Sequence, residues 1–74
     1  MDYEFDKRVG KNIREIRKAK ELTQDELAAR LQVLECDISR TAVAKIETGK
    51  RHIYLYELYA ISKALGTGFE ELLK

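Results

Sequence analysis

Two helix starts lie close together in the stretch 22–51, LTQDELAARLQVLECDISRTAVAKIETGKR, and they constrain the fold more than any other feature. At the first start, the Thr23 hydroxyl can accept a hydrogen bond from the main chain three residues on, and Glu26 can reach back to the Thr23 amide. Leu22 and Leu27 flank this capping box at the spacing of a hydrophobic staple, which fixes the angle at which the chain enters the helix. The pattern therefore predicts that a helix begins at Thr23.

The second start repeats the pattern at Ser39, whose hydroxyl can cap a helix. Ile38 and Val43 form the second staple pair. Gly49 predicts the end of this helix, because glycine adopts the left-handed conformation that closes a helix at the lowest cost. A short third helix is therefore expected from Arg40 to about Thr48.

The third helix has two different faces, because residues three and four apart share one side of a helix. The inward side carries Val43, Ile46 and Glu47. The outward side carries Arg40, Thr41, Ala44 and Lys45. A polar face on a helix that is anchored by its apolar side favours recognition of a partner molecule.

Helical periodicity continues on both sides of the second helix. A first helix is predicted from about Asp6 to Ala19, with a buried stripe of Val9, Ile13 and Ile16 that Phe5 continues backwards. The second helix is expected from about Gln24 to Leu31 or a little beyond. The segment 32–38, QVLECDI, can prolong that helix or form a folded loop, and its apolar residues Val33, Leu34 and Ile38 favour burial.

The last third of the chain predicts two more helices. The fourth is marked by Leu55, Leu58, Ile61, Ser62 and Leu65 and ends at Gly66, while its start near residues 53–54 lacks a capping side chain. A short fifth helix is expected from Phe69 to Leu73. No proline interrupts the chain, so the pattern predicts an all-α fold of five short helices around one core.

Length and composition limit the classes of function. A chain of 74 residues predicts one domain, 1–74, whose first few residues are an acidic extension and not a secretory signal. No apolar run approaches the roughly 20 residues of a membrane span. The lone Cys36 cannot form an internal disulfide, which fits a cytoplasmic protein. With one His, one Cys and no glycine-rich phosphate loop, the sequence predicts no enzyme, no metal site and no cofactor.

Charge is unevenly distributed although the net charge is only +1. Basic residues crowd the first helix at Lys7, Arg8, Lys11, Arg14, Arg17, Lys18 and Lys20, and they recur at Arg40, Lys45, Lys50, Arg51 and His52. Acidic residues gather elsewhere, for instance at Asp25 and Glu26 and at Glu70 and Glu71. This distribution indicates one basic side that can attract phosphate. The alternative is a first helix solvated by interspersed charge.

The sequence resembles the phage-repressor-like helix-turn-helix proteins, the XRE or Cro/cI family. The resemblance covers roughly Val9 to Leu73 and rests on GKNIREIRKAKELTQDELAARL, SRTAVAKIETGKR, AISKALG and FEELL, in the family's order. It implies a five-helix lambda-repressor-like domain whose third helix lies in the major groove of operator DNA. It also implies a transcriptional repressor that acts as a homodimer on a palindromic site.

Carried over position by position, the resemblance implies that Gln24 binds a phosphate and supports the third helix. The residues that would contact base edges are Arg40, Thr41, Ala44 and Lys45, and those that would contact the DNA backbone are Thr48, Gly49, Lys50 and Arg51. In some members an arginine of the first helix pairs with a glutamate of the third, which matches Arg17 and Glu47 as a structural ion pair.

The chemistry of these residue types fits the same roles. Free amides at the start of a helix attract phosphate, which suits Gln24. Arg40 can bind O6 and N7 of guanine with two hydrogen bonds, and Thr41 offers a methyl to thymine or a hydroxyl to several bases. Ala44 permits close approach, while Lys45 can reach a guanine or a phosphate.

Two departures from the family pattern are visible. The turn between the second and third helices is longer than usual by about the length of LECDI, which can tilt or displace the third helix. Glu21 stands where many members have glycine, so backbone strain is expected there. Tyr54, Tyr56 and Tyr59 suggest an alternative function, a protein-interaction module that docks like an antitoxin or binds the transcription machinery.

Overall fold

The computed structural model describes residues 3–74, except for the side chain of Tyr3, and these residues form five α-helices with no strand among them. The helices are α1 (Tyr3–Ala19), α2 (Gln24–Val33), α3 (Arg40–Glu47), α4 (Leu55–Leu65) and α5 (Phe69–Leu72). The prediction of an all-α fold with five helices is therefore confirmed. None of these helices is long and apolar enough to cross a membrane.

The first helix corrects two expectations. It begins at Tyr3 and not near Asp6, so the acidic residues Glu4 and Asp6 form its first turn, where the positive end of the helix dipole favours carboxylates. Met1 and Asp2 lie outside the described residues. Phe5 is 39% exposed and lies under the Arg8 guanidinium, 5.5 Å from the ring centroid, instead of continuing the buried stripe. Periodicity gives the direction of a side chain but not whether another helix covers it.

Both predicted helix starts are present. At α2, Thr23 Oγ1 accepts a hydrogen bond from the Glu26 amide at 3.0 Å, and the Thr23 amide donates to Glu26 Oε1 at 2.8 Å. The hydrogen bond from the Thr23 main chain lowers the pKa of Glu26. At α3, Ser39 Oγ accepts from the Ala42 amide at 3.2 Å. Side-chain chemistry within four residues therefore places α2 and α3.

The segment 32–38 divides between helix and loop. α2 continues to Val33, and the chain then turns through Glu35, whose φ is 60°. Val33 is 82% exposed, so the expected burial of the apolar residues here applies to Ile38 but not to Val33 or Leu34. Cys36 is buried, and burial raises the pKa of its thiol, which makes it a poor nucleophile.

Backbone conformation agrees with the expected strain and helix ends. Glu21, between α1 and α2, has φ 58°, a left-handed conformation that an L-residue with a Cβ adopts at a cost. Gly66 ends α4 with φ 65°, as its position predicts.

α5 ends at Leu72, and the Asn12 side chain donates to the Leu72 carbonyl at 3.0 Å, which ties the end of the described fold to α1.

One hydrophobic core joins the five helices. Its fully buried side chains include Val9 and Ile13 of α1, Leu27 and Leu31 of α2, Val43 and Ile46 of α3, Ile61 and Leu65 of α4 and Leu72 of α5. α1 packs directly against α3 at Gly10, where an added Cβ would lie 2.1 Å from the Ile46 carbonyl oxygen. This close crossing holds α3 against the core by its apolar side.

Candidate nucleic-acid interface

The outward face of α3 is open to solvent. Arg40, Thr41 and Lys45 are exposed and Ala44 is half-buried, whereas Val43 and Ile46 on the opposite side are buried. The structure therefore brings the four residues expected to contact bases onto one accessible helix face. We call this surface, Arg40, Thr41, Ala44 and Lys45, the α3 front.

Arg40 already has a weak partner on α2. Its Nε lies 3.4 Å from Asp25 Oδ1, and the two side chains are 63% and 76% exposed. An exposed ion pair of this kind contributes about 0–1 kcal/mol, because water solvates both charges when they separate. Arg40 can therefore leave Asp25 for another partner at little cost.

Glu47 connects three helices behind the α3 front. Arg17 of α1 donates from Nε and Nη2 to the two Glu47 carboxylate oxygens at 2.6 and 3.0 Å, and from Nη1 to the Leu22 carbonyl at 2.7 Å. Gln24 Nε2 donates to Glu47 Oε1 at 3.1 Å. Both charged side chains are buried, and the hydrogen bond to Glu47 raises the pKa of Arg17. The network fixes the position of α3 relative to the start of α2 and the end of α1.

Gln24 occupies the first position of α2, beside this network. Its side-chain amide bonds to Glu47 of α3, which accounts for the expected support of the third helix. The first amides of an α-helix have no partner within the helix and point towards its N-terminal end. Gln24 is only half-buried, so this end of α2 is accessible.

The segment after α3 is partly accessible and partly engaged. Thr48 and Lys50 are exposed, and Thr48 Oγ1 donates to the Ala44 carbonyl at 3.0 Å. Gly49 has φ 73°, and a Cβ added there would lie 2.5 Å from Lys7 Cγ, so the α1 side chain covers it. Glycine is required at this position by both conformation and space.

Arg51 is engaged within the protein. Its Nη1 and Nη2 donate to the two Glu57 carboxylate oxygens at 2.9 and 3.0 Å, and Nη1 also donates to the His52 carbonyl at 2.9 Å. The hydrogen bond from Arg51 lowers the pKa of Glu57, whose side chain is 3% exposed. Its Nε and one remaining Nη2 hydrogen are left for other acceptors.

Three further contacts near this surface were not anticipated from the sequence. Glu57 binds Arg51 and the Tyr54 amide, Asp25 faces Arg40, and Asp6 Oδ2 lies 2.7 Å from His52 Nδ1. The Glu57 contact had a partial signal, since a glutamate in the first turn of a helix commonly accepts from the main chain before it. The Asp6 contact joins residues 46 positions apart, and no sequence spacing indicates it.

A second exposed surface lies at the start of α4. Leu55 is 74% exposed, and Tyr54, Tyr56 and Tyr59 are exposed as well. The rings of Tyr54 and Tyr56 are stacked with centroids 6.0 Å apart. We call Tyr54, Leu55, Tyr56 and Tyr59 the α4 apolar surface. A group of large apolar side chains in water is typical of a surface that contacts another protein.

Comparison with known proteins establishes the class of protein to which this fold and this site belong. The family profile described as helix-turn-helix matches residues 13–72. The chain therefore belongs to the XRE-type helix-turn-helix family, and the resemblance seen in its motifs is confirmed. It is a DNA-binding transcriptional regulator.

The individual relatives are small control proteins. The chain is 40% identical over 65 residues to control protein C.BamHI from Bacillus amyloliquefaciens, covering 86% of this chain and 74% of that protein. It is 38% identical over 66 residues to control protein C.MunI from Mycoplasma sp, covering 88% and 82%.

Solved structures share the fold. The restriction-modification controller protein C.AhdI from Aeromonas hydrophila superposes with a TM-score of 0.84 at 30% identity, over 95% of this chain and 94% of that one. The DNA-binding domain of BldD superposes with a TM-score of 0.83 over the full length of both chains, and at 23% identity it supports the fold alone.

Proposed function

We propose that the protein binds a specific operator by placing the α3 front in the major groove. The observation that carries the proposal is the exposure of Arg40, Thr41 and Lys45 on a helix whose opposite side is buried. Arg40 would bind a guanine through two hydrogen bonds, Thr41 a thymine methyl or a polar base edge, and Lys45 a guanine or a phosphate. Ala44 would permit the close approach that these contacts need.

The residues around α3 would hold the DNA backbone. The accessible start of α2 supports a phosphate at Gln24, because unpaired helix amides and the dipole attract anions. Exposed Thr48 and Lys50 support a second contact, whereas Gly49 between them is buried against Lys7 and its amide donates to the Ile46 carbonyl. Arg51 would contribute least, since Glu57 and the His52 carbonyl occupy most of its hydrogen-bond donors.

We infer a homodimer on a palindromic operator. Half-sites one helical turn apart are separated by about 34 Å, and the described body measures 30 × 21 × 19 Å. Two adjacent copies can therefore present two α3 helices at this spacing. The α4 apolar surface begins at the end of the loop 48–54, so a two-fold contact there would join the copies beside the DNA.

The relatives support a more particular role. Two are control proteins and one is a restriction-modification controller. We propose that this chain likewise controls transcription in a restriction-modification system, as a repressor at its operator and in the cytoplasm, where that DNA is found.

Selection of duplexes from a random pool with the purified chain tests the proposal. We expect recovery of one palindromic sequence whose affinity exceeds that of scrambled DNA by about 10³-fold or more. Recovery of unrelated sequences, with equal affinity for scrambled duplexes, would contradict operator binding. A recovered site without two-fold symmetry would contradict the dimer.

A second candidate function rests on the exposure of the α4 apolar surface. A protein-interaction module, antitoxin-like or bound to transcription machinery, would use Tyr56 and Tyr59 to hold another protein. Substituting both with Ser would then abolish function in cells while leaving operator affinity and dimerisation intact. Loss of dimerisation in the same variant would assign the surface to a second copy instead.

A further inference from the structure

Four basic side chains form a continuous line along α1, outside the helix-turn-helix. Lys7, Lys11, Arg14 and Lys18 follow each other at intervals of four, three and four residues, and all are exposed. At this spacing they share one helix face. We call these four residues the α1 basic stripe. It borders the side of α1 on which Gly10 packs against the end of α3.

The α1 basic stripe differs from four other cations of the protein because no carboxylate of the described residues pairs with it. Arg17 and Arg51 are bound to buried carboxylates, Arg40 faces Asp25, and Lys74 pairs with Glu71. Within the part of the chain that the structure describes, no ion pair or side-chain hydrogen bond involves the stripe. Glu15 lies four residues after Lys11 and three before Lys18, yet it pairs with neither.

Unneutralised cations on a rigid helix suit a polyanion. On binding to DNA, such side chains release the counterions condensed on the phosphates, which gives affinity without reading sequence. The stripe extends from residue 7 to residue 18, about 16 Å of helix, a length over which one DNA strand has about five phosphates. Charge and length therefore both match a phosphate backbone.

The stripe is also continuous with the interface proposed above. Lys7 lies against Gly49, between Thr48 and Lys50, so the stripe begins where the proposed backbone contacts end. From there it runs along α1 towards Lys18. DNA held by the segment after α3 would pass next to this line of charge.

We propose that the α1 basic stripe binds the phosphates that flank each half-site, adding affinity and salt dependence but no sequence preference. The inference rests on the proposed function, since it needs DNA on the α3 front. It assigns to α1 a part in DNA binding beyond its structural contact through Arg17.

Matched double variants on the selected operator test the inference. Lys11→Gln with Lys18→Gln removes two stripe charges, and Lys20→Gln with Lys74→Gln removes two exposed charges outside the stripe. Both double variants lower the net charge of the protein by two, so any difference in their DNA binding reflects the position of the charges that were removed. We expect the stripe variant to bind operator and scrambled DNA at least about tenfold more weakly at 0.1 M salt, with a salt slope lower by about 1.8 for each bound protomer. The control should differ little from the wild type.

Duplex length provides the second measurement. Extending the duplex beyond the selected site should raise the affinity of the wild type and the control but not of the stripe variant. Melting curves matching the wild type would show that both variants are folded. Equal affinity and salt slope for stripe variant and control would overturn the inference alone. A wild-type chain that does not distinguish operator from scrambled DNA would overturn the proposed function.

Discussion

At the scale of single residues, the contrast between Glu47 and Arg40 separates structural roles from recognition. Glu47 sits on α3 but is buried and accepts hydrogen bonds from Arg17 and Gln24. Arg40, at the start of the same helix, is exposed and only weakly paired. Burial therefore assigns Glu47 to holding the helix and leaves Arg40 available for a ligand.

Substitution of Arg17 should lower the free energy of unfolding. Arg17→Met leaves the Glu47 carboxylate buried with only Gln24 as donor, and losing one partner of a buried ion pair costs about 3–5 kcal/mol. Urea denaturation measures this free energy of unfolding. The double variant Arg17→Met with Glu47→Leu removes both charges and should recover most of the loss. A loss below about 1 kcal/mol for the single variant would show that water already solvates Glu47.

Base and backbone contacts should respond differently to substitution. Arg40→Ala should weaken operator binding by about 1–3 kcal/mol and relax preference at one base pair. Lys50→Ala should weaken binding to all sequences similarly and reduce the salt slope by about one for each bound protomer. Titrations on operator and single-base variants at several salt concentrations distinguish the two. If neither change alters affinity, α3 and its following loop do not contact the DNA.

At the scale of elements, the connection between α3 and α4 depends on one carboxylate. Glu57 accepts hydrogen bonds from the Arg51 guanidinium and from the Tyr54 amide, at 2.9 and 3.0 Å. Tyr54 precedes α4 and makes no side-chain cap, so Glu57 stabilises a helix start that the sequence leaves uncertain. The same contacts hold the loop that follows the proposed backbone-binding residues.

This contact makes stability depend on pH. Arg51 lowers the pKa of Glu57 in the folded protein. The Arg51–Glu57 contact therefore contributes its full stability above the pKa of about 4.3 that Glu57 has in the unfolded chain, and this stability is lost as pH falls towards the lower pKa of the folded state. Glu57→Gln should cost about 1.5–3 kcal/mol at pH 7 and progressively less as pH drops below about 5. Denaturation across pH 3–7 measures the difference.

The exposed Glu70→Gln is the matched control, since a surface substitution on α5 should change the free energy of unfolding by less than about 0.5 kcal/mol at pH 7. A penalty for Glu57→Gln that stays constant down to pH 3 would mean that the charge of Glu57 does not stabilise the fold.

At the scale of the whole molecule, the arrangement of charge and apolar surface decides how copies assemble on DNA. Leu55→Ser removes an apolar side chain of the α4 apolar surface from the proposed dimer contact and should weaken the dimer by about 1.5–3 kcal/mol. The dissociation constant of the dimer should therefore rise about tenfold or more. Sedimentation equilibrium measures this constant. Val33→Ser is the control, because Val33 is a similarly exposed aliphatic residue on α2. Equal dimerisation of both variants would exclude the α4 apolar surface as the contact.

Much of this fold was predictable because its signals are local. The hydroxyls of Thr23 and Ser39 cap α2 and α3, and Gly66 ends α4 in the left-handed conformation that its residue type favours. The exposure of the α3 front follows from the same helical period. Phe5 shows the limit, since its spacing from Val9 predicts burial and the structure leaves it in contact with solvent and Arg8.

The sequence by itself determined where α2 and α3 begin, where α4 ends and which side of α3 is apolar, because these properties depend on residues within about one helical turn of each other. The Arg17–Glu47 ion pair was indicated by resemblance to the family and by the position of both residues beside the buried stripes of their helices. Tertiary structure alone decided which charges are neutralised inside the protein. Glu57 holds Arg51 and Asp6 contacts His52, whereas the α1 basic stripe stays unpaired. Such contacts depend on how distant helices cross, and local spacing carries no information about that crossing.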